Sequence, residues 1–135
     1  MIILKNNIAT IDDLENLYND VGWISYTNDL EKLEKAFRNS LKVVTAWDDE
    51  KLVGTIRIVG DGLTIIYIQD ILVLSKYHRK GIGKMLVNSI LEEYKDVRQI
   101  VLMTDNEPDT IEFYKNVGFT TVDKYDGIAF VRYLL

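Results

Sequence analysis

Apolar residues in the first third of the chain recur three or four positions apart, which is the spacing of one helix face. Thr10 precedes one such stretch and can act as its N-cap, so the pattern predicts a helix over about residues 11–21. Asn28 precedes a second stretch and predicts another helix there. A short apolar run at residues 2–5 predicts a strand before both helices.

The middle of the chain is instead rich in β-branched residues. Residues 42–47 and 52–59 predict two strands joined by a turn at 48–51. The Gly-Asp-Gly sequence at 60–62 predicts a second tight turn. Residues 64–74 are apolar nearly throughout, which is typical of a strand buried on both faces.

The helical spacing returns after this strand and predicts a helix over residues 81–95, followed by a strand at 99–103. The side chains expected to face inward from that helix are Ile82, Met85, Leu86, Ile90 and Tyr94. A parallel pair of strands is usually connected by such a helix. The middle of the chain therefore predicts a strand–helix–strand unit.

The last third predicts a short helix and two strands. Pro108 suits the first turn of a helix that reaches about Asn116, and Gly118 is well placed to end it. Residues 119–125 and 127–135 predict the closing strands. The whole order predicts a mixed α/β fold with an antiparallel start.

Composition narrows the classes of protein that this chain can be. With 135 residues, a single proline and no linker or repeat, it is expected to form one domain over residues 1–135. A net charge of -5 argues against a nucleic-acid partner, and no apolar run reaches the ~18 residues of a membrane span. A chain with one histidine and no cysteine is not expected to bind a metal. Since the start lacks a signal-peptide pattern, the cytoplasm is the expected location.

One basic stretch stands out in this acidic chain, the sequence YHRKGIGKML at residues 77–86. It lies between the buried strand and a helix, where the first N–H groups of the helix have no internal partner. Gly81 and Gly83 would let a bulky anion approach the backbone, and Arg79, Lys80 and Lys84 add positive charge. The stretch predicts a phosphate-binding nest. A plain tight turn with a solvated basic rim remains the alternative.

Two common phosphate-binding motifs do not fit this stretch. A Walker loop would place its first glycine at His78 and its hydroxyl at Met85. A dinucleotide-binding fingerprint would place its third glycine at Leu86. The nest is therefore not part of either motif.

A third pattern does fit. Residues 71–86, ILVLSKYHRKGIGKML, resemble the acyl-CoA-binding segment of the GNAT superfamily of N-acyltransferases, with its Gln/Arg-x-x-Gly-x-Gly/Ala signature after a strand. Residues 111–119, IEFYKNVGF, resemble the family's Phe/Leu-Tyr-x-x-x-Gly-Phe element. The order of predicted elements agrees from end to end. The resemblance implies a GNAT fold, a central mixed sheet flanked by helices, and an N-acetyltransferase with acetyl-CoA as acyl donor.

The resemblance also implies roles for particular residues. The backbone of Ile71, Leu72 and Val73 would pair with the pantetheine arm of CoA, and the amides of residues 79–84 would hold the pyrophosphate. His78 occupies the Gln/Arg position of the signature, and Tyr114 would be the general acid. The implied CoA-binding residues are Ile71, Leu72, Val73, His78, Arg79, Lys80, Gly81, Ile82, Gly83 and Lys84.

The general base is where this chain departs from the family. Members often carry Glu or His on the central strand, and the matching positions here are Tyr67 and Gln69. Neither side chain is an ordinary base at neutral pH. A water chain could take the proton, or the acceptor could lose it before attack. The missing base also keeps open a different function, that of a non-catalytic acyl-CoA-binding or regulatory module.

The acceptor side carries one unusual residue, Asp70, in an otherwise apolar strand. It is either a structural acid paired with backbone N–H groups or a basic side chain, or a contact to a cationic substrate or proton relay. Trp23, Tyr26 and Tyr18 either line an acceptor pocket or belong to the core. The acidic chain favours a small cationic amine as the acceptor. Homodimers are frequent in the family, and the sequence leaves that assembly open.

Overall fold

The computed structural model describes residues 1–134, which form two compact units, Met1–Met103 and the chain from Thr104 onward. In the first unit the elements are β1 (Ile2–Lys5), α1 (Ile11–Asp20), α2 (Ile24–Thr27), α3 (Leu30–Arg38), β2 (Lys42–Asp48), β3 (Lys51–Gly60), β4 (Ile65–Val73), α4 (Ile82–Glu93) and β5 (Gln99–Leu102). A single 3₁₀ turn, Ser75–Tyr77, separates β4 from α4. In the second unit, α5 (Pro108–Asn116) is followed by a 3₁₀ turn, Val122–Tyr125.

The five strands form one mixed sheet in the order β1-β2-β3-β4-β5. The first three pairs are antiparallel, and β4 and β5 are parallel. The parallel pair is possible because α4 returns the chain to the end of the sheet at which β4 begins, so that β5 can run in the same direction. This arrangement confirms the predicted mixed α/β fold with an antiparallel start.

The early helices begin where short polar side chains can cap them. Thr10 accepts a hydrogen bond from the Asp13 N–H at 3.2 Å, as predicted. The cap of α3 is Asp29, which accepts from the Lys32 N–H at 3.1 Å, and not Asn28 as predicted. Asn28 instead closes α2, a four-residue helix that the periodicity did not reveal.

Helices cover both faces of the sheet. On one face, residues of α1 and α3 form a buried cluster with strand residues, including Leu14, Tyr18, Phe37 and Leu72. On the other face, α4 lies so close to β3 that a Cβ added to Gly54 would stand 3.4 Å or less from side-chain atoms of Ile82 and Leu86. The sheet is thus the middle layer of the first unit.

A β-bulge divides β4 into two halves that bury opposite faces. Asp70 lies opposite Arg57 of β3 but Ile68 lies opposite Ile58, so Gln69 is an extra residue on β4. Residues opposite each other share a face, so Ile68 lies on the α4 side with Ile58, while Asp70 lies on the α1 side with Arg57. The strand predicted to be buried on both faces therefore buries one face before the bulge and the other after it.

The inward face of α4 differs in part from the predicted one. Its fully buried side chains are Ile82, Leu86, Val87 and Ile90. Met85, which was predicted to face inward, lies on the flank of this stripe and is 37% exposed. The stripe is centred on residues four apart, which leaves position 85 outside it.

The second unit contains the predicted helix but not the predicted strands. Pro108 begins α5, and Gly118, with φ 102°, follows its C-cap. No strand forms over residues 119–134, so both closing strands were wrong. The Gly127 and Asp126 N–H groups instead bond to the carbonyls of Val122 and Asp123, and Asp126 is left-handed with φ 59°. A strand also needs a neighbouring strand, which an alternating sequence does not supply by itself.

The expectation of a single domain over residues 1–135 stays a prediction. Within residues 1–134, no helix is both long enough and apolar enough to cross a membrane. The same residues bring together no group of three or more side chains that could hold a metal ion.

Candidate functional site

The two edges of β4 differ in how far they are paired. On one edge β3 pairs with β4 up to Val73, which lies opposite Gly54. On the other edge β5 pairs with it only up to Ile68, which lies opposite Leu102. Residues 69–73 therefore have a strand neighbour on one side only, among the residues that the structure describes.

Alternation along the strand decides which backbone groups face this open edge. The Leu74 N–H donates to the Val53 carbonyl of β3 at 2.9 Å, so the polar groups of residue 74 point toward β3. Successive residues of a strand point their N–H and C=O groups to opposite sides. Val73 and Ile71 therefore present their groups to the open edge, and Leu72 presents its groups to β3.

The ring of His78 lies at the end of this edge. Its Nε2 atom is 2.8 Å from the Val73 carbonyl oxygen, so Nε2 carries a proton and donates it there. In the neutral ring Nδ1 is then an acceptor, and only the doubly protonated ring could also donate to a phosphate. The structure thus connects His78 with the end of β4.

Left-handed backbone forms the turn before α4. Arg79 has φ 64° and Gly81 has φ 80°. Gly81 is the N-cap of α4 and provides no side-chain hydrogen bond to the first N–H groups of the helix. Since a Cβ on Gly81 would meet nothing within 4 Å, the backbone angle and not crowding favours glycine there. Left-handed residues beside a helix N-terminus are compatible with the nest expected within residues 77–86, which stays a prediction.

The ring of Tyr77 holds two lysine side chains beside this turn. Lys80 Nζ lies 5.3 Å and Lys51 Nζ 5.6 Å from the centre of its ring, distances at which a cation is attracted to the aromatic face. The Tyr77 hydroxyl donates to Asp48 at 2.7 Å, and this hydrogen bond is the main cause of its raised pKa. Sequence reasoning missed Tyr77 and Asp48 because they are 29 positions apart.

Asp20 fastens the same turn to α1. Its Oδ2 atom accepts from the Ser75 N–H at 2.8 Å and from the Ser75 hydroxyl at 2.7 Å. These two hydrogen bonds lower the pKa of Asp20. The turn Ser75–Tyr77 is therefore joined to the last residue of α1.

Asp70 is buried and paired on one oxygen. Its Oδ2 atom accepts from Arg57 Nε at 2.9 Å and from the Tyr18 hydroxyl at 2.8 Å. Its Oδ1 atom is also buried but has no hydrogen-bond partner among residues 1–134. Burial raises the pKa of Tyr18, and the charge of Asp70 raises it further. Arg57 is the basic partner that a purely structural role for Asp70 requires. The unpaired Oδ1 atom leaves open the other role, a contact to a cationic substrate or a proton relay.

Arg57 is the partner that sequence reasoning missed. Its guanidinium lies 5.3 Å from the centre of the Phe37 ring, and its Nη1 atom is 3.5 Å from the Ser40 hydroxyl. The signal was present, because an arginine inside the apolar run 52–59 must meet an anion if it is buried.

Four of the predicted acceptor-side residues lie close together. Trp23 and Tyr26 are half-buried, and their rings stack with centres 5.9 Å apart. Gln69 Nε2 donates to the Tyr26 hydroxyl at 3.4 Å. Burial and then the charge of Asp70 raise the pKa of Tyr26. The fifth residue, Tyr67, lies before the bulge, opposite Val101 of β5.

Tyr114 belongs to the second unit. Its ring is partly buried on α5 and makes edge contacts with Phe113 and Phe119, at centre distances of 5.0 and 5.9 Å. Burial raises the pKa of Tyr114 to about 12, although a hydrogen bond with Thr104 acts in the opposite direction. The hydroxyl therefore keeps its proton throughout the neutral range.

Comparisons with known proteins agree with these features. A sequence profile of the acetyltransferase (GNAT) family matches residues 8–119. A solved GNAT-family acetyltransferase from Streptococcus pneumoniae is 35% identical, with 99% of this chain and 98% of that chain covered and a TM-score of 0.89. An uncharacterized ycf52-like N-acetyltransferase of Prochlorococcus marinus is 32% identical over 133 residues, which are 93% of this chain and 72% of the relative.

A more distant structure shares the fold alone. It is AAC(6')-Iy in complex with the bisubstrate analog CoA-S-monomethyl-acetylneamine, 15% identical, with a TM-score of 0.73 over 100% of this chain and 99% of that one. The predicted GNAT fold is therefore confirmed by solved structures. From the profile match and the streptococcal relative we conclude that this chain belongs to the GNAT family of acetyltransferases.

Proposed function

We propose that this protein transfers an acetyl group from acetyl-CoA to the primary amine of a small cationic acceptor. One observation carries the proposal: the open edge of β4 leads directly into the left-handed turn at the start of α4. An extended arm that ends in a pyrophosphate needs these two features in this order. Family membership supports acetyl transfer in general, and the remaining details are our inference.

The chain's own groups fit the two parts of CoA. The backbone groups of Ile71 and the N–H of Val73, whose carbonyl already accepts from His78, can pair with the amides of the pantetheine arm, in the way that a peptide adds a strand to a sheet edge. The N–H groups around Gly81 can donate hydrogen bonds to the pyrophosphate, and Lys80 and Lys84 add positive charge. Leu72 would contribute its buried side chain and not its backbone.

When bound, acetyl-CoA supplies the activated acyl group. The acceptor nitrogen forms the new C–N bond and loses a proton to water, while the C–S bond breaks. A backbone N–H on the edge of β4 would stabilise the negative charge that develops on the carbonyl oxygen. Tyr114 would supply the proton that the departing sulfur needs and regain one from solvent.

The acceptor would lie near Trp23, Tyr26 and Gln69. The half-buried rings of Trp23 and Tyr26 can hold a cation by its attraction to their faces. Asp70 is too deeply buried for direct contact in this arrangement, so its charge would act through Tyr26. Since neither Tyr67 nor Gln69 is an ordinary base, the amine would lose its proton to solvent or a water chain.

Calorimetric titration with acetyl-CoA tests the cofactor part of the proposal. Gly83 is the second residue of α4, where a branched side chain would stand among the N–H groups offered to the pyrophosphate. We expect Gly83→Val to abolish binding while circular dichroism shows a folded protein. Normal binding by this variant would refute the nest assignment.

Turnover of a panel of amines tests the acceptor. If only anionic or neutral amines react, the proposal of a cationic acceptor is contradicted.

A second candidate is a non-catalytic acyl-CoA-binding module. The specific observation in its favour is that Tyr67 and Gln69 stand where a base is expected, and that the pKa of Tyr114 is raised to about 12, which weakens it as an acid. The two functions differ in thiol release. Acetyl-CoA binding with no amine-dependent release of free CoA across the panel would favour the binding module.

A further inference from the structure

The stacked rings of Trp23 and Tyr26 are supported by a third ring. Their planes are 28° apart, with centres 5.9 Å from each other. The fully buried ring of Tyr18 contacts both, at 6.1 Å from Trp23 and 5.3 Å from Tyr26. The Tyr18 hydroxyl is in turn fixed by its hydrogen bond to Asp70. The aromatic pair is therefore held in place before any acceptor binds, which lowers the cost of binding one.

This pair lies at the end of the open edge that is farther from the turn. The open edge runs from Gln69 to Val73, and the left-handed turn follows Val73. In the proposed binding mode the pyrophosphate lies at the turn and the pantetheine arm along Val73 and Ile71, so the thioester end reaches toward Gln69. Gln69 donates to the Tyr26 hydroxyl at 3.4 Å. The rings are therefore beside the place where the acetyl group is transferred.

The electrostatic potential at the pair favours a cation. Asp70 is buried, and its Oδ1 atom has no hydrogen-bond partner among residues 1–134. Burial and then the charge of Asp70 raise the pKa of Tyr26, and the opposing effect of Arg57 is smaller. The negative charge of Asp70 is thus only partly cancelled at the Tyr26 hydroxyl. The faces of the two rings add their own attraction for a positive group.

The nitrogen that reacts is not the cation that these rings can hold. An amine attacks the thioester carbonyl with its lone pair, and a protonated amine has no lone pair to use. An ordinary alkyl amine has a pKa near that of lysine, ~10.4, so it is mostly protonated at neutral pH. Rings that selected this protonated nitrogen would keep the acceptor in its unreactive form. The attraction assists the reaction only if it acts on a second group of the same molecule.

We propose, as a step that rests on the proposed function, that the acceptor is an aliphatic diamine. One nitrogen is neutral and takes the acetyl group, while the other stays positively charged over the rings of Trp23 and Tyr26. The second charge also lowers the pKa of the reacting nitrogen, because a like charge nearby disfavours the protonated form. It thus assists the loss of a proton in a site where neither Tyr67 nor Gln69 is an ordinary base.

The same arrangement limits the reaction to one acetyl group. In the product one nitrogen is a neutral amide, and the other still carries the charge that the rings bind. A second transfer requires this remaining amine to leave the rings and to lose its proton with no second charge to assist. The singly acetylated diamine is therefore the expected product.

Steady-state kinetics of the full chain with three primary amines of equal chain length tests the second charge. Diaminobutane carries a second cationic group, aminobutanol a neutral polar group in its place, and butylamine a methyl group. Per reactive nitrogen, we expect kcat/KM for diaminobutane to exceed the other two values by about tenfold, the effect of one cation held at a partly desolvated ring. Equal values for all three would overturn the diamine and leave acetyl transfer standing. If no primary amine reacted at all, the proposed function would fail together with it.

Variants of the two tryptophans test where the cation is held. Trp23→Leu removes one ring and should bring the ratio of kcat/KM for diaminobutane to that for butylamine to within about twofold of one, whereas Trp23→Phe keeps a ring and should keep most of the ratio. The matched control is Trp47→Leu, because the Trp47 ring is also half-buried but lies on β2 with Lys5 Nζ 4.8 Å from its centre. This control should show the ratio of the parent. A ratio that survives Trp23→Leu would mean that the cation is held elsewhere, contrary to the proposal.

Mass spectrometry of the products, with acetyl-CoA in excess over diaminobutane, tests the single transfer. We expect the singly acetylated compound to accumulate. A doubly acetylated product that formed about as fast as the first would contradict the proposal, because it would show that the second charge is not needed for reaction.

Discussion

Asp70 receives two hydrogen bonds on one carboxylate oxygen and none on the other from the described residues. Replacing the acid leaves Arg57 charged and buried without its partner, which is among the more destabilising changes a core can undergo. We expect Asp70→Asn to lower the free energy of unfolding by about 3 kcal/mol, measured by urea denaturation.

Two further variants separate charge from packing at this position. Tyr18→Phe removes one hydrogen bond to the carboxylate and should cost about 1.5 kcal/mol. The double variant Arg57→Met/Asp70→Leu removes both charges and should recover part of the stability that Asp70→Asn loses. A stable Asp70→Asn variant would show that the ion pair contributes little.

Tyr114 is the residue on which the proposed chemistry depends most. We expect Tyr114→Phe to bind acetyl-CoA within a few-fold of the parent but to lower kcat by at least about tenfold, because general acid catalysis contributes about 10²–10⁴ in rate. Steady-state kinetics with a reactive amine measures this. Tyr125→Phe, which changes an exposed tyrosine in the turn after α5, is the matched control. Unchanged turnover by Tyr114→Phe would leave that side chain a packing role only.

The pH profile gives a second test of Tyr114. With a pKa of about 12, the hydroxyl stays protonated well into the alkaline range, but it lies about 3.5 pKa units above an ordinary thiol at ~8.5. We therefore expect kcat to rise with pH as the acceptor amine loses its proton, with no fall caused by Tyr114 below about pH 11. A falling limb between pH 8 and about 10 that disappears in Tyr114→Phe would contradict the pKa of about 12, because it would show this hydroxyl losing its proton at lower pH.

At the scale of elements, the role of the turn before α4 in CoA binding can be tested by comparing Gly81 with Gly22, a glycine of similar backbone angle after α1. Gly81 has φ 80° and Gly22 has φ 82°, and a Cβ on either residue would meet nothing within 4 Å. Alanine in the left-handed region costs about 1–2 kcal/mol, so both variants should lose similar stability. Only Gly81→Ala should weaken acetyl-CoA binding, by about tenfold, the equivalent of one charged hydrogen bond. Equal affinities in titration would separate this turn from CoA binding.

The turn between β3 and β4 predicts an acid-dependent stability. Asp61 Oδ1 accepts from the N–H groups of Leu63, Thr64 and Ile65, and Oδ2 accepts from the Thr64 hydroxyl. The hydroxyl bond, then the N–H bonds, hold the pKa of Asp61 well below its ordinary value. The stabilisation is therefore complete above about pH 4 and is lost as pH falls through the lower folded-state pKa.

The measurement is the Tm of the parent and of Asp61→Asn between pH 2 and pH 7. The parent should melt higher near neutral pH, and the difference should shrink below about pH 4. A difference that stays constant across this range would show that the carboxylate charge does not matter in the turn.

Periodicity predicted the long elements well and the short ones poorly. The bounds of α1, β3 and α5 lie within one or two residues of the predicted ones, because each presents several apolar positions in register. The helix α2 and the turn Ser75–Tyr77 have four and three residues, which is too few to show a period. The closing strands were wrong because their local pattern cannot specify a pairing partner.

In the candidate site, features that are continuous in sequence could be predicted, and contacts between residues distant in sequence could not. The turn at residues 77–86 is continuous in sequence, so its glycines and basic side chains could be recognised together. The partners Arg57 and Asp70 are 13 positions apart and meet only through the pairing of β3 with β4. Asp20 and Ser75 are 55 positions apart, and no local pattern connects them.

At the scale of the whole molecule, the net charge of -5 should favour encounters with a cationic acceptor. Raising the ionic strength from 0.01 to 0.15 M shortens the screening length from about 30 to about 8 Å. We expect kcat/KM for a cationic amine to fall several-fold over this range, while a neutral amine of similar size is unaffected. A cationic acceptor whose kcat/KM does not change, or rises, would show that the overall charge plays no part.

The bulge at Gln69 makes β4 sensitive to length rather than to composition. Gln69 is exposed, so many side chains should be accepted at this position without loss of the fold. Deleting the residue would instead turn either the half that carries Ile68 or the half that carries Asp70 to the opposite face of the sheet. In a library of variants scored for folding alone, position 69 should therefore tolerate nearly every substitution and no deletion. Folding thus fixes the number of residues in β4 more strictly than it fixes which side chain stands at the bulge.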